Sequence, residues 1–145
     1  MLTDSKVVQD AGIAKIKSLL MAARPALTAE SRKVAATFTQ TLAAQGGEVT
    51  DKSPEVIHLM EEFKALRTGI AAVTVTGAAA TSARDLTTRA LLETEQALSR
   101  LADSYIASDR KESMIILRES GQFMKAAEAT GTLAGKALGI AWPLR

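Results

Sequence analysis

The sequence predicts an all-α fold, a single domain over residues 1–145 built as a bundle of four or five helices. Composition carries the first argument: 27 alanines stand against five aromatic residues, and alanine is the best helix former whereas aromatics favour strands. Periodicity carries the second, because apolar residues recur every three to four positions in five segments and none alternates as a strand. The third is punctuation: capping residues, prolines and glycines fall where those segments start and stop.

The first helix is expected over about 4–24. Lys6, Asp10, Lys17 and Arg24 fall in one narrow stripe, while Val7, Val8, Ile13, Ile16, Leu19, Leu20 and Met21 spread over much of the remaining girth. Pro25 removes a backbone donor and disfavours helical geometry at Arg24, so a break or kink is expected there. A second helix over 28–45 takes Thr28 as N-cap, Leu27, Val34, Phe38 and Leu42 as its stripe, and Gly46-Gly47 as its stop. Ser53-Pro54-Glu55 opens a third over 54–76, in which Val56, Leu59, Phe63, Leu66, Ile70 and Val73 follow a 3-4-3-4 seam.

Gly77 to Ser82 reads as a turn, and Ser82 with Asp85 resembles a capping box that restarts the helix over 82–108. Leu86, Ala90, Leu91, Ala97, Leu98, Leu101 and Tyr105 line one side of it; Asp85, Arg89, Glu93, Arg100 and Asp103 face away, with Arg89 and Glu93 placed to pair. Asp109 and Glu112 offer a further capping box, so the last helix is expected over 110–141. No Gly or Pro separates Ser82 from Ser120, however. If the last two helices run on as one, the molecule is elongated into a rod of about 60 residues and roughly 90 Å.

Several function classes find no support. The chain has no cysteine, which removes thiol nucleophiles, disulfides and Cys-containing zinc sites and makes the cytoplasm the expected setting. Residues 1–12 lack a positive start followed by an apolar core, so no export signal is expected. The longest uncharged stretch, Thr68 to Ala83, is too short and too rich in Thr and Ala to be expected to span a bilayer. Lys and Arg exceed Asp and Glu only by 18 to 16, without a dense basic run, and this disfavours nucleic acid. Ser108-Asp-Arg-Lys111 matches an S-x-x-K string, but the companion motifs of acyl-transfer enzymes are missing. No enzyme activity and no cofactor are expected.

Three features remain as candidates. Lys111, Arg118, Lys125 and Lys136 share a strip of the last helix opposite its apolar side, and Trp142 near the end could anchor such a basic amphipathic helix at an interface, although an ordinary solvated face is the simpler reading because Glu119 and Glu128 lie on the same helix. Ala127, Gly131, Gly135 and Gly139 repeat small residues every four positions, a pattern for close helix packing. Glu55 and His58, the chain's one histidine, have the E-x-x-H spacing of metal-binding bundles, although a solvated His58 is the simpler reading.

The expected function is therefore that of a non-enzymatic interaction or assembly protein. The broad apolar girth of the first helix means that it is either central in the bundle or covered by another molecule, and a homo-oligomer or a complex with a protein partner is expected. The alternatives are a peripheral protein of anionic membrane surfaces, using the basic last helix, and a metal-binding protein using Glu55 and His58.

Overall fold

A computed structural model describes the backbone of residues 2–43, 54–105 and 109–142, and the side-chain surroundings of residues 11–36, 54–104 and 109–142. It contains four helices, α1 (Leu2–Ala43), α2 (Pro54–Ala71), α3 (Ala78–Tyr105) and α4 (Arg110–Leu138), and no strand among the described residues.

The first two expected helices are one. Pro25 lies inside α1 and does not end it. Loss of its N–H leaves the Met21 carbonyl without its helical donor, a cost of about 3 kcal/mol relative to Ala, but Pro25 and Met21 are both exposed and water can serve that carbonyl. In return the inner face keeps its register across the proline. Ile13, Ile16, Leu20, Ala23, Leu27, Glu30 and Val34 continue one 3-4 seam, in which Ile16, Leu20, Leu27 and Val34 are buried. The expected stop at Gly46-Gly47 and the cap at Ser53 lie outside the described residues.

Helix α2 begins at Pro54, as its fixed φ and missing donor favour. Its seam is as read: Val56, Leu59, Phe63 and Ile70 are buried, with Leu66 and Val73 partly buried beside them. The helix stops at Ala71 rather than at 76, and α3 starts at Ala78, a turn before the Ser82/Asp85 capping box. Gly77 explains the early start. Its φ of 92° reverses the chain, Thr81 N–H donates to its carbonyl at 3.1 Å, and three alanines then carry the helix up to the supposed cap. The intervening Thr74 and Val75 lie against Gly12 of α1, where a Cβ would meet Thr74 O at 3.1 Å and Val75 Cγ1 at 3.2 Å.

Helices α3 and α4 are separate, not a rod. Asp109 is the N-cap of α4, with extended backbone and a carboxylate that accepts the Glu112 N–H at 2.7 Å. The far end closes with Gly139 at φ 73°: its N–H donates to Lys136 O, and Ile140 N–H donates to Gly135 O at 2.9 Å, a Schellman motif that ends the helix at Leu138 rather than 141. Side-chain links fix the pairing as antiparallel. Ser113 Oγ donates to Ser104 O at 3.2 Å, Ser120 Oγ to Ala97 O at 2.7 Å, and Thr130 Oγ1 to Glu93 at 2.6 Å. Arg100 bridges to Glu119 at 2.7 Å and to Asp103 at 3.0 Å.

Helix α3 is the centre, packed against α4 most extensively, then against α2 and α1. It therefore buries two sides rather than the expected one. Ala83, Ala90, Leu91, Ala97, Leu98 and Ala102 are inside, and Glu93, expected outside, is turned in to Thr130. Glu95 is buried as well and holds α2 to α3 through a two-pronged pair: Arg67 Nε donates to one carboxylate oxygen and Nη2 to the other at 3.1 Å. These hydrogen bonds raise the Arg67 pKa further above its ordinary value, against the opposing effect of burial. Because the raised group is fully charged at every pH below its unfolded pKa, Arg67 keeps its side of the pair through the neutral range, and its own titration weakens the pair only in strong base.

Candidate functional site

The basic ridge lies where the helical period puts it. Lys111, Arg118, Lys125 and Lys136 are all exposed on α4, on the side away from Ile116, Ala127, Ala134 and Leu138, which are buried against the bundle. Two facts sharpen it. Glu119, an acidic residue on the same helix, is drawn to Arg100 of α3. Flanking the ridge, Met114, Ile115 and Leu133 remain 56%, 49% and 53% exposed. The outer face of α4 thus combines cations with uncovered apolar side chains, which a merely solvated face does not require. Lys136 also has a local role, since a cation in the last turn meets the negative end of the helix dipole.

Trp142 does not belong to this face. The indole is 6% exposed and packs over the inner side of α4, where a Cβ on Gly131 would come within 2.6 Å of its Nε1 and 2.7 Å of its Cδ1. Gly135 makes room for the same segment; its Cβ would lie 2.7 Å from Ile140 O and 3.1 Å from the Trp142 amide nitrogen. Of the small-residue stripe, Ala127, Gly131 and Gly135 are buried, and Gly131 and Gly135 admit the chain's own returning end rather than a neighbouring helix. Gly139 is exposed and acts as the cap. A period of four marks close approach without naming what approaches.

His58 finds different company from that expected. It is exposed on α2, its Nε2 2.9 Å from Oε1 of Glu62, one helical turn further on. Glu30 of α1 completes the group, and one ligand atom from each of Glu30, His58 and Glu62 lies within 4.8 Å of the others. Glu55, exposed at the start of α2, is not in it. The residues missed at the sequence level share a signal. Glu30 lies between Leu27 and Val34, Glu62 between Leu59 and Leu66, and Glu95 between Leu91 and Leu98, each at helical spacing from apolar neighbours on its own face.

The S-x-x-K string dissolves into local structure: Ser108 lies outside the described residues, Asp109 caps α4, and Lys111 stands on the ridge. Among the described residues no helix is long and apolar enough to cross a membrane. No protein-family model matches the chain, and neither a curated protein nor a solved structure does.

Proposed function

We propose that this chain is a non-enzymatic helical interaction protein whose outer α4 face binds an acidic surface of a protein partner. The observation that carries the reading is the combination on one face of exposed Lys111, Arg118 and Lys125 with exposed Met114, Ile115 and Leu133. Cations steer an acidic partner and fix its register, while the apolar side chains supply burial once contact is made. The rest of the bundle provides a rigid support: α4 is capped at both ends and tied to α3 along its length.

A protein partner suits this face better than an anionic membrane. An interfacial helix needs a continuous apolar side and an aromatic anchor, but the apolar side of α4 is spent on the bundle and Trp142 is buried with it. A homo-oligomer remains one form of the proposal, although α1's Ile16, Leu20, Leu27 and Val34 are already covered within the chain. The absence of cysteine suits a reducing compartment, and we place the protein in the cytoplasm.

The test is photo-crosslinking in the producing cell, with a benzophenone amino acid at Ile115 and, as control, at Ala22 on the exposed side of α1. A discrete adduct at Ile115 that disappears in the triple variant Lys111→Glu/Arg118→Glu/Lys125→Glu is expected; an adduct of twice the chain mass identifies a second copy. No adduct, or one indifferent to the charge reversal, refutes the reading. Flotation of the purified chain with phosphatidylserine vesicles is expected to be negative, and binding lost in the same variant would favour the membrane instead.

A further inference from the structure

We propose that Glu30, His58 and Glu62 form a binding site for a divalent transition-metal ion, with zinc the best match to one imidazole and two carboxylates. The site straddles α1 and α2, so that the ion would tie the two helices together.

Geometry is the first argument. Tetrahedral zinc with bonds of about 2.0–2.2 Å places its ligand atoms roughly 3.4 Å apart. His58 Nε2 and Glu62 Oε1 stand 2.9 Å apart, and all three ligand atoms fall within 4.8 Å of one another. Closing the group takes a shift of about an ångström in long, flexible carboxylate side chains, well within rotamer freedom. The i,i+4 spacing of His58 and Glu62 sets both on one face of α2. Three protein ligands leave a fourth position for water or another donor.

An independent observation concerns Glu62. One carboxylate oxygen is engaged by His58, but the other, Oε2, is shielded from water although the side chain as a whole is 30% exposed, and it has no hydrogen-bond partner among the described residues. A carboxylate oxygen withdrawn from water without a donor is costly, and a bound cation would compensate it. Glu30 presents a related anomaly, because it occupies a position of the α1 seam otherwise held by Ile, Leu, Ala and Val. A polar residue at such a position costs stability unless it is matched. Its contact in hand is Lys33, at 3.7 Å and with a largely exposed side chain, a surface pair worth about 0–1 kcal/mol that would yield readily to a divalent ion.

His58 being the sole histidine makes the test direct. The untagged, chelator-treated full chain is titrated with zinc chloride while the single imidazole is followed by nitrogen–proton NMR and bound metal by equilibrium dialysis. One ion per chain is expected, with a shifted His58 signal and a raised melting temperature. Glu62→Gln and His58→Ala are each expected to weaken binding by about tenfold or more, and Glu55→Gln to leave it unchanged. An unmoved imidazole signal in the wild-type protein overturns the proposal, as does zinc uptake indifferent to His58→Ala. The wild-type NMR result stands even if a variant fails to fold, and circular dichroism identifies such a variant.

Discussion

The two halves of the bundle are held by different means. Between α3 and α4 the contact is specified at every level: three hydroxyl hydrogen bonds, the Arg100–Glu119 bridge, a run of buried alanines, and Trp142 folded over Gly131 and Gly135. Between α1 and the rest, an apolar seam does most of the work. It passes beneath an exposed proline, contains a glutamate, and leaves an open apolar hollow of about 600 Å³ where Gly12 and Leu19 face Val73. Hydrogen bonds and small-residue contacts fix a register because each has one geometry, whereas an apolar stripe tolerates sliding and repacking. The hairpin of α3 and α4 is thus the natural rigid platform for a binding face, and the α1 side is where a ligand would add definition.

The largest expected effect breaks the first half of this contrast. Trp142→Ala removes a buried indole and leaves its seat on Gly131 empty, so a loss of about 3–5 kcal/mol is expected in urea unfolding followed by circular dichroism. Gly135→Leu should act similarly, because its Cβ would strike the Ile140 carbonyl, a backbone atom with little room to yield. A cost near zero for either would mean that the returning end does not lock the hairpin.

Next comes the tie from α3 to α2. Glu95→Ala removes both acceptors of the Arg67 guanidinium, which keeps partial access to water with about 28% of its side chain exposed, and should cost about 2 kcal/mol. Combining Glu95→Leu with Arg67→Met should restore much of this, since the penalty comes from the orphaned charge and two apolar side chains leave no buried polar group unpaired. A double variant worse than the single would refute that account.

Pro25→Ala probes the second half with the opposite sign. Restoring the missing backbone hydrogen bond in α1 is expected to stabilise the protein by about 1–3 kcal/mol and to raise the melting temperature. A loss would show that the proline serves α1 in some way beyond its place on the exposed side. The smallest effect on stability is expected on the outer face of α4, where the Lys111, Arg118 and Lys125 reversal should change unfolding by no more than about 0.5 kcal/mol. That near-neutrality separates the ridge's binding role from the fold, and a large destabilisation would merge them.

The all-α class, the α2 seam, the Asp109 cap and the exposed ridge were legible because each is decided within one or two helical turns. Boundaries were less so. The Ser82/Asp85 box is a valid local signal, yet Gly77 and the alanines after it start the helix earlier, and Pro25 is a valid breaker overruled by a seam that runs past it in phase. Most of the candidate site followed the same division. The ridge could be drawn on a helical wheel, but the partners of His58 and the inward turn of Trp142 depend on residues distant in sequence or on a reversal after the last helix.

Taken alone, the order of residues determined that this chain forms helices, which sides of them are greasy and where its cations stand, because propensity and periodicity act through neighbours a few positions apart. Only the folded chain decided that α3 is buried on two sides, that α3 and α4 double back instead of running on, and that Glu30 meets His58 and Glu62. Those outcomes depend on which apolar faces of different helices find each other, and that competition is settled by packing the whole chain at once.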